Sequence, residues 1–197
     1  MRSAKAIMAP TLALLLAMSV QALGAPAYPG GQLFLRYELR YPDKHPASLT
    51  FEVIPGEGGY EVRMGVAQFV PRDEAEGRNP LELIAFTPEL DVNEAGFIMP
   101  LFSIWGRGIE PNKEYRLRNR ARLITGDRDD VLGIPVIRAR YLNPGFPDLV
   151  AYVAIPDLSH RGLLPAFLPP YLRVEEKTDK GYRLVYEIVL VEFRHEG

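Results

Sequence analysis

The fold class of this sequence is decided by the stretch Leu33-Phe34-Leu35-Arg36-Tyr37-Glu38-Leu39-Arg40-Tyr41. Large apolar side chains fill every odd position of this stretch, and charged side chains fill positions 36, 38 and 40 between them. Because successive side chains of a β-strand point to opposite faces, this alternation predicts a strand with one buried and one solvated face.

The same alternation predicts a β-hairpin over residues 48–70. The turn is Pro55-Gly56-Glu57-Gly58-Gly59, which is rich in the residues that tight turns require. Apolar residues recur at every second position on both sides of it: Leu49, Phe51 and Val53 before, and Tyr60, Val62, Met64 and Val66 after. The spacing indicates two strands that share one apolar face.

Proline and glycine interrupt the rest of the chain too often for long helices. A polar loop is predicted at 71–80, a short strand at 81–86, a short helix that begins near Thr87, and an apolar segment at 97–105. Further strands are predicted at 114–125, 131–142, 148–155, 171–176 and 182–193, and the turn of a second long hairpin at Gly126-Asp127-Arg128-Asp129-Asp130. The last strand also fits one helical face, but its β-branched residues favour a strand.

These elements predict a single antiparallel all-β domain. Consecutive long hairpins favour a β-barrel or a curved half-barrel, since closure removes the exposed edges of a sheet, and a two-sheet β-sandwich is the alternative. The general plan, an exported meander of long strands without cysteine, resembles lipocalin-like barrels and the half-barrels of lipoprotein carriers. The chain contains no diagnostic motif of either family.

The N-terminus has the features of a cleaved secretory signal. Arg2 and Lys5 precede an apolar stretch at 6–20, and Ala22-Leu23-Gly24 supplies small residues for a signal peptidase. The apolar stretch is short for a membrane span. We therefore expect residues 1–24 to be removed, with a cut after Ala27 as the alternative, and residues 25–197 to form a secreted or periplasmic domain without a transmembrane span.

Composition excludes several classes of function. The chain contains no cysteine, which excludes disulfides, thiol catalysis, thiolate metal sites and a lipoprotein anchor at the signal cut. The formal net charge is −2 before the basic signal is removed, and nucleic-acid binding needs a basic excess instead. We therefore expect no nucleic-acid partner.

No catalytic constellation can be assembled from the sequence. Beyond the signal, the serines are Ser48, Ser103 and Ser159 and the histidines are His45, His160 and His195, with His195 in the terminal tail. No Gly-x-Ser-x-Gly elbow occurs, and Ser159 and His160 are sequence neighbours. The carboxylates of 127–130 are those of a polar turn. We therefore predict no catalytic residue, metal site or cofactor, and a hydrolase ranks third among the functions.

An arginine cluster is the first candidate for a binding site. Six arginines lie in the second predicted hairpin: Arg116, Arg118, Arg120, Arg122, Arg138 and Arg140. The first four share one parity, so a strand would display them on one face. If Thr125 pairs with Val131, then Arg118 faces Arg138 and Arg116 faces Arg140, and like charges directly opposite destabilise a hairpin. We expect either acidic neighbours on a solvated face or an anionic ligand between the arginines.

An apolar loop is the second candidate. The segment 162–172 contains three prolines and no charge, and its large apolar residues include Leu163, Leu164, Phe167 and Leu168. Loops are usually polar because they cross the surface. This segment is expected either to plug the core or to form an exposed apolar lip.

The functional expectation is an exported, non-enzymatic β-barrel protein that binds a lipid-like, apolar or amphipathic molecule, with arginines near an acidic head group. The alternative is an envelope module that binds a protein partner and has a solidly packed core. A cavity of several hundred cubic ångströms inside the sheet favours the first function, and a filled interior favours the second.

Overall fold

The computed structural model describes residues 27–42, 45–72, 76, 96–165 and 168–197. Its nine strands are β1 Gln32–Arg40, β2 Ala47–Gly56, β3 Gly59–Gln68, β4 Glu114–Arg116, β5 Arg122–Val131, β6 Ile134–Leu142, β7 Leu149–Pro156, β8 Tyr171–Thr178 and β9 Gly181–Glu196. The helical elements are two 3₁₀ helices, Met99–Ile104 and Arg118–Arg120, and the short helix α1, Leu158–Arg161.

All nine described strands form one antiparallel sheet in the order β3-β2-β1-β9-β8-β7-β6-β5-β4. Strands β4 to β9 follow one another as a meander, and β1 pairs with β9, so the first and last strands lie side by side. The predicted antiparallel all-β class is therefore confirmed. The sheet is open, which excludes a closed barrel and a two-sheet sandwich for this part of the chain and is consistent with a curved half-barrel.

One face of the sheet, the core face, carries the apolar residues. On β1 these are Leu33, Leu35, Tyr37 and Leu39, as the alternation predicts. The core face of β1 and of β5 to β9 is covered by the segment 97–105 and by the described part of 163–168. The largest side chains of the cover, Phe97 and Trp105, are at most 1% exposed, so the packing here is that of a protein interior.

The predicted hairpin at 48–70 is confirmed as β2 and β3. The register runs without a shift from Ala47 opposite Gln68 to Gly56 opposite Gly59. Gly58 in the turn has φ +80°, a conformation that favours glycine.

The C-terminal segment is the long strand β9, as its β-branched residues predict.

The second hairpin differs from the prediction. Its turn is not 126–130 but Leu132-Gly133, whose φ angles of 55° and 82° are those of the tight turn that suits antiparallel strands. Asp130 Oδ1 accepts a hydrogen bond from the backbone N–H of Gly133 over 2.8 Å, which holds that turn. The predicted turn residues belong to β5, where the register with β6 shifts between Thr125 and Arg128.

The predicted strand 114–125 is interrupted. Strand β4 ends at Arg116, and Asn119 and Arg120 have φ angles of 58° and 60°. The chain reverses there, so β4 pairs with β5 and Arg116 lies opposite Arg122.

The predicted position of His195 is also wrong. This residue lies in β9 opposite Leu33 rather than in a terminal tail.

Several sequence predictions lie outside the described residues. These are the signal segment 1–24, the strand at 81–86, the helix that begins near Thr87, and most of the loop 71–80. Among the helices of the described ranges, none has both the length and the apolar character needed to cross a membrane.

Candidate functional site

The six predicted arginines do not share one face. Arg138 and Arg140 lie on the outer face of β6, opposite the core face, and the other four lie at the tight β4–β5 connection. The predicted pairing of Arg118 with Arg138 and of Arg116 with Arg140 is wrong, because Ile124 is the residue opposite Arg140. Two features cause this difference: the turn at Leu132-Gly133 changes the register of the hairpin, and the positive φ angles at 119 and 120 end the strand that the pairing requires.

Two of these arginines have carboxylate partners. Arg138 Nε donates to Asp129 Oδ2 over 2.7 Å, and its guanidinium lies 5.2 Å from the ring centre of Tyr171. The pKa of Asp129 is lowered, first by this hydrogen bond and then by one from the Asp130 backbone and by the charge of Arg138. Arg122 contacts Glu114 over 3.5 Å. These pairs are the neutralised surface charges that the sequence allowed as one alternative.

Arg140 differs from Arg138, because no carboxylate of the described residues pairs with it. It lies beside an open groove of about 280 Å³ on the outer face, which Arg138, Tyr152 and Tyr171 also line. Arg116, Arg118 and Arg120 also lack an ion pair within the described ranges, but they lie at the β4–β5 connection, away from this groove. The groove combines an unpaired guanidinium with two aromatic rings.

The apolar loop packs into the core. Leu163, Leu164 and Leu168 are 7%, 6% and 6% exposed, and Phe167 lies outside the described residues. The carbonyl of Leu168 accepts a hydrogen bond from the Tyr37 hydroxyl over 3.0 Å, in an environment whose burial raises the pKa of that hydroxyl. This is the packing expected of a plug, and these three leucines form no exposed lip.

A buried arginine, which the sequence analysis missed, fastens α1 to the first covering segment. Arg161 is 1% exposed, and burial lowers its pKa. Its Nε donates to the carbonyl of Pro156 at 2.7 Å, and its Nη1 donates to the carbonyls of Ile104, Trp105 and Arg107 at 3.1, 2.8 and 2.6 Å. The guanidinium thereby joins α1 to the end of the 3₁₀ helix Met99–Ile104. No sequence pattern marks this arginine, because only the fold brings those carbonyls together.

The largest uncovered apolar surface among the described strands is on β3. Its core-face residues Tyr60, Val62, Met64 and Val66, here called the β3 apolar row, are 52%, 71%, 65% and 41% exposed. The three β2 residues that pair with Val62, Met64 and Val66 are half-buried or buried. The β1 residues that pair with those β2 residues on the other side are buried. The described cover of the core face therefore ends near β2, although the apolar pattern continues to the edge of the sheet.

The other face of β3 is polar or small. Arg63 Nε contacts Glu61 Oε1 at 2.8 Å, and its Nη1 lies 3.6 Å from Glu52 Oε2. The hydrogen bond from Arg63 and then its charge lower the pKa of Glu61. Beside these residues, an open groove of about 410 Å³ is lined by Arg36, Glu38, Ser48, Ala67 and Phe69 among others. Its two charged residues are already paired, Arg36 with Glu192 and Glu38 with Arg40.

The described serine, histidine and aspartate residues that were considered as catalytic or metal-binding candidates do not come together as a site. Ser159 Oγ lies 3.0 Å from His160 Nδ1, but the two residues are sequence neighbours on the short helix α1. Asp127 accepts a hydrogen bond from Asn112 Nδ2 at 3.2 Å. Within the described ranges, no group of three or more His, Asp or Glu residues is placed to hold a metal ion.

Comparison with known proteins adds no function. No protein-family model matches the sequence, and no curated protein is significantly similar to it. Two surfaces of the described residues therefore remain as the guides to function: the β3 apolar row and the groove beside Arg140.

Proposed function

We propose that this protein is an exported, non-enzymatic binding module that docks a partner along the β3 apolar row. The observation that carries the proposal is the exposure of Tyr60, Val62, Met64 and Val66 on the apolar face of a strand at the edge of the described sheet. Contiguous exposed apolar surface on a folded protein marks an interaction site. An edge strand adds unpaired backbone N–H and C=O groups, which favour a partner that pairs with it.

The packing of the other strands supports this choice over a ligand held inside the sheet. The core face of β1 and of β5 to β9 is covered by side chains of the chain itself, including Phe97, Leu101 and Leu164. Arg161 fastens this cover through four backbone carbonyls. The β3 apolar row is therefore the described group in which four exposed apolar side chains follow one another on the core face of one strand.

Oxidation of methionine in the exporting cell tests the proposal. After removal of the signal, the only methionines are Met64, in the β3 apolar row, and Met99, outside it. Their exposed fractions in the isolated chain are similar, 65% and 54%, so Met99 is an internal control. We expect peroxide to oxidise Met99 in intact cells while Met64 is protected, as measured by peptide mass spectrometry.

Equal oxidation of the two methionines in intact cells would contradict the proposal, because the row would then be unoccupied. The same measurement on dilute purified protein gives the reference rates. Protection in cells that is lost on dilution indicates a bound partner, since an intramolecular cover would protect Met64 at any concentration.

A second candidate function is supported by the groove beside Arg140. The Arg140 guanidinium, which pairs with no carboxylate of the described residues, lies next to Tyr152 and Tyr171, and this arrangement suits the acidic head and the apolar part of an amphipathic molecule. Titration with oleate, followed by nuclear magnetic resonance, tests it. Arg140→Gln should weaken binding about tenfold, by loss of one charge-assisted hydrogen bond, and the control Arg118→Gln should leave binding unchanged. Equal affinity of all three proteins for oleate would exclude this site.

A further inference from the structure

We infer that the partner of the β3 apolar row is a second copy of this chain, paired edge to edge through antiparallel β3 strands. The inference rests on the proposed function and names its partner. Three features of β3 favour this partner: its long regular edge in the described sheet, the parity of its apolar residues, and the order of its charges.

Within the described residues, the edge of β3 has few of the features that prevent strand pairing. Natural edge strands are short, bulged, or interrupted by proline and lysine. β3 is ten residues long, contains neither proline nor lysine, and keeps its register with β2 from end to end. Its charged residues, Glu61 and Arg63, have opposite signs and pair with each other. Such an edge is a template for another strand, which would satisfy its backbone N–H and C=O groups and flank its side chains.

The parity of the apolar residues suits a symmetric pair. In two antiparallel copies of one strand, the numbers of facing residues have a constant sum. An even sum places even residues opposite even residues, so the apolar rows of both copies lie on one face of the joined sheet. The two-fold axis then makes each copy present the same surface to the other, which is the usual symmetry of protein dimers.

The charges select one register near the middle of β3. A sum of 126 places Arg63 opposite Arg63 of the second copy, which is unfavourable. A sum of 124 instead places Glu61 opposite Arg63 of the second copy, and does so twice because of the symmetry. In that register Val62 meets Val62 of the second copy, and Tyr60 meets Met64 of the second copy. In this register apolar side chains face apolar side chains and acids face bases, and each side chain of the β3 apolar row gains a lateral neighbour from the second copy.

Sedimentation of the purified protein tests the inference first. We expect a dimer at micromolar concentrations, and dissociation in Val62→Lys, because two lysines would then face each other at the axis. The expected loss of affinity is about 100-fold, the effect of juxtaposed like charges. The control Leu132→Lys changes another exposed apolar residue, 48% exposed, on the β5–β6 turn and should remain dimeric.

A charge exchange tests the register without placing a charge in the apolar row. Glu61→Arg alone makes positions 61 and 63 both basic, so arginine faces arginine at each of the two symmetric contacts. Arg63→Glu alone makes both positions acidic, so glutamate faces glutamate, and each single variant should be monomeric. When the two variants are mixed, every facing pair is one acid and one base. We expect the mixture to form a heterodimer, visible by native mass spectrometry.

The outcomes separate this inference from the proposed function. A purified protein that stays monomeric, or single charge variants that dimerise as well as the parent, would overturn the pairing described here. Protection of Met64 in cells by a monomeric protein would leave the proposed function standing with another partner. Flotation of the monomer with phosphatidylglycerol vesicles, lost in the uncharged variant Val62→Ser, would identify that partner as lipid and also overturn the dimer.

Discussion

Strands β1 and β3 carry the same alternating apolar pattern but have opposite surroundings. On β1, Leu33, Leu35, Tyr37 and Leu39 are between 0% and 7% exposed, whereas the β3 apolar row is between 41% and 71% exposed. The two strands are separated only by β2. The difference shows that alternation marks the face of a strand, while burial depends on whether another segment covers that face.

The two edges of the described sheet show a related difference. β4 is three residues long and has charged residues at both ends, Glu114 and Arg116, so it offers little template for pairing. β3 is long, regular and apolar on one face. Of the two edges of the described sheet, the longer and more regular one also carries the uncovered apolar side chains, which is why we assign the docking function there.

The largest expected effect comes from removing the anchor of the cover. Arg161→Met leaves several buried carbonyls without a donor, and each unsatisfied acceptor costs about 1–3 kcal/mol, so the free energy of unfolding should fall by about 3 kcal/mol or more. The core face of β1 should then become accessible, as that of β3 already is. Urea denaturation and binding of a hydrophobic dye measure both effects. Arg107→Met, at an exposed residue, is the control, and equal losses in the two variants would contradict the anchoring role.

A matched pair of truncations tests the contrast between β1 and β3 directly. Leu35 and Met64 both lie on the core face at the same level across the sheet, because each of them pairs with Phe51 of β2, one from either side. Leu35→Ala should lower the free energy of unfolding by about 2–5 kcal/mol, as for buried side chains. Met64→Ala should change it by less than about 0.5 kcal/mol in dilute protein. Similar losses would show that β3 is as well covered as β1.

Alkaline pH should destabilise the covered region. Burial raises the pKa of Tyr37 and Tyr141 above the value near 10 of an unfolded tyrosine. Stability is therefore complete below about pH 10 and falls above it, by up to about 1.4 kcal/mol per pH unit for each tyrosine. Urea midpoints between about pH 9 and pH 12 measure the slope. Tyr141→Phe should reduce that slope, and an unchanged slope in the variant would refute the assignment.

The smallest expected effect concerns the outer face. Arg138→Gln removes a partly exposed ion pair with Asp129 and the contact with Tyr171, so it should lower stability by less than about 1 kcal/mol. Arg118→Gln should have no effect within about 0.5 kcal/mol. Thermal melts at low and high salt measure the difference, because salt screens exposed charges. A rise in stability in both variants would instead indicate the repulsion that the sequence alone suggested.

The sequence was most informative for individual strands. Alternation located β1, β2, β3 and the antiparallel class correctly, because a period of two reports directly on the geometry of a strand. It failed between 114 and 131, where positive φ angles at Asn119, Arg120 and Leu132 set the turns. Such conformations usually favour glycine, and at these three positions no glycine signals them.

The candidate site was less predictable than the fold. The arginine cluster was wrong as a single face because it depended on the register of one hairpin. The plug of Leu163, Leu164 and Leu168 was one of two alternatives, and composition could not choose between them. The β3 apolar row was visible as a strand face, but its exposure was not, since exposure depends on segments far away in the chain.

The sequence by itself determined most of the strands, the antiparallel class and the absence of cysteine chemistry, because these follow from local periodicity and residue type. Tertiary structure decided that the described sheet stays open, that Arg161 gathers four carbonyls from two segments, and that the described cover stops short of β3. The physical reason is that a side chain's face is fixed by its own strand, whereas its burial is fixed by contacts between residues distant in sequence. The location of the proposed docking surface belongs to the second kind of information.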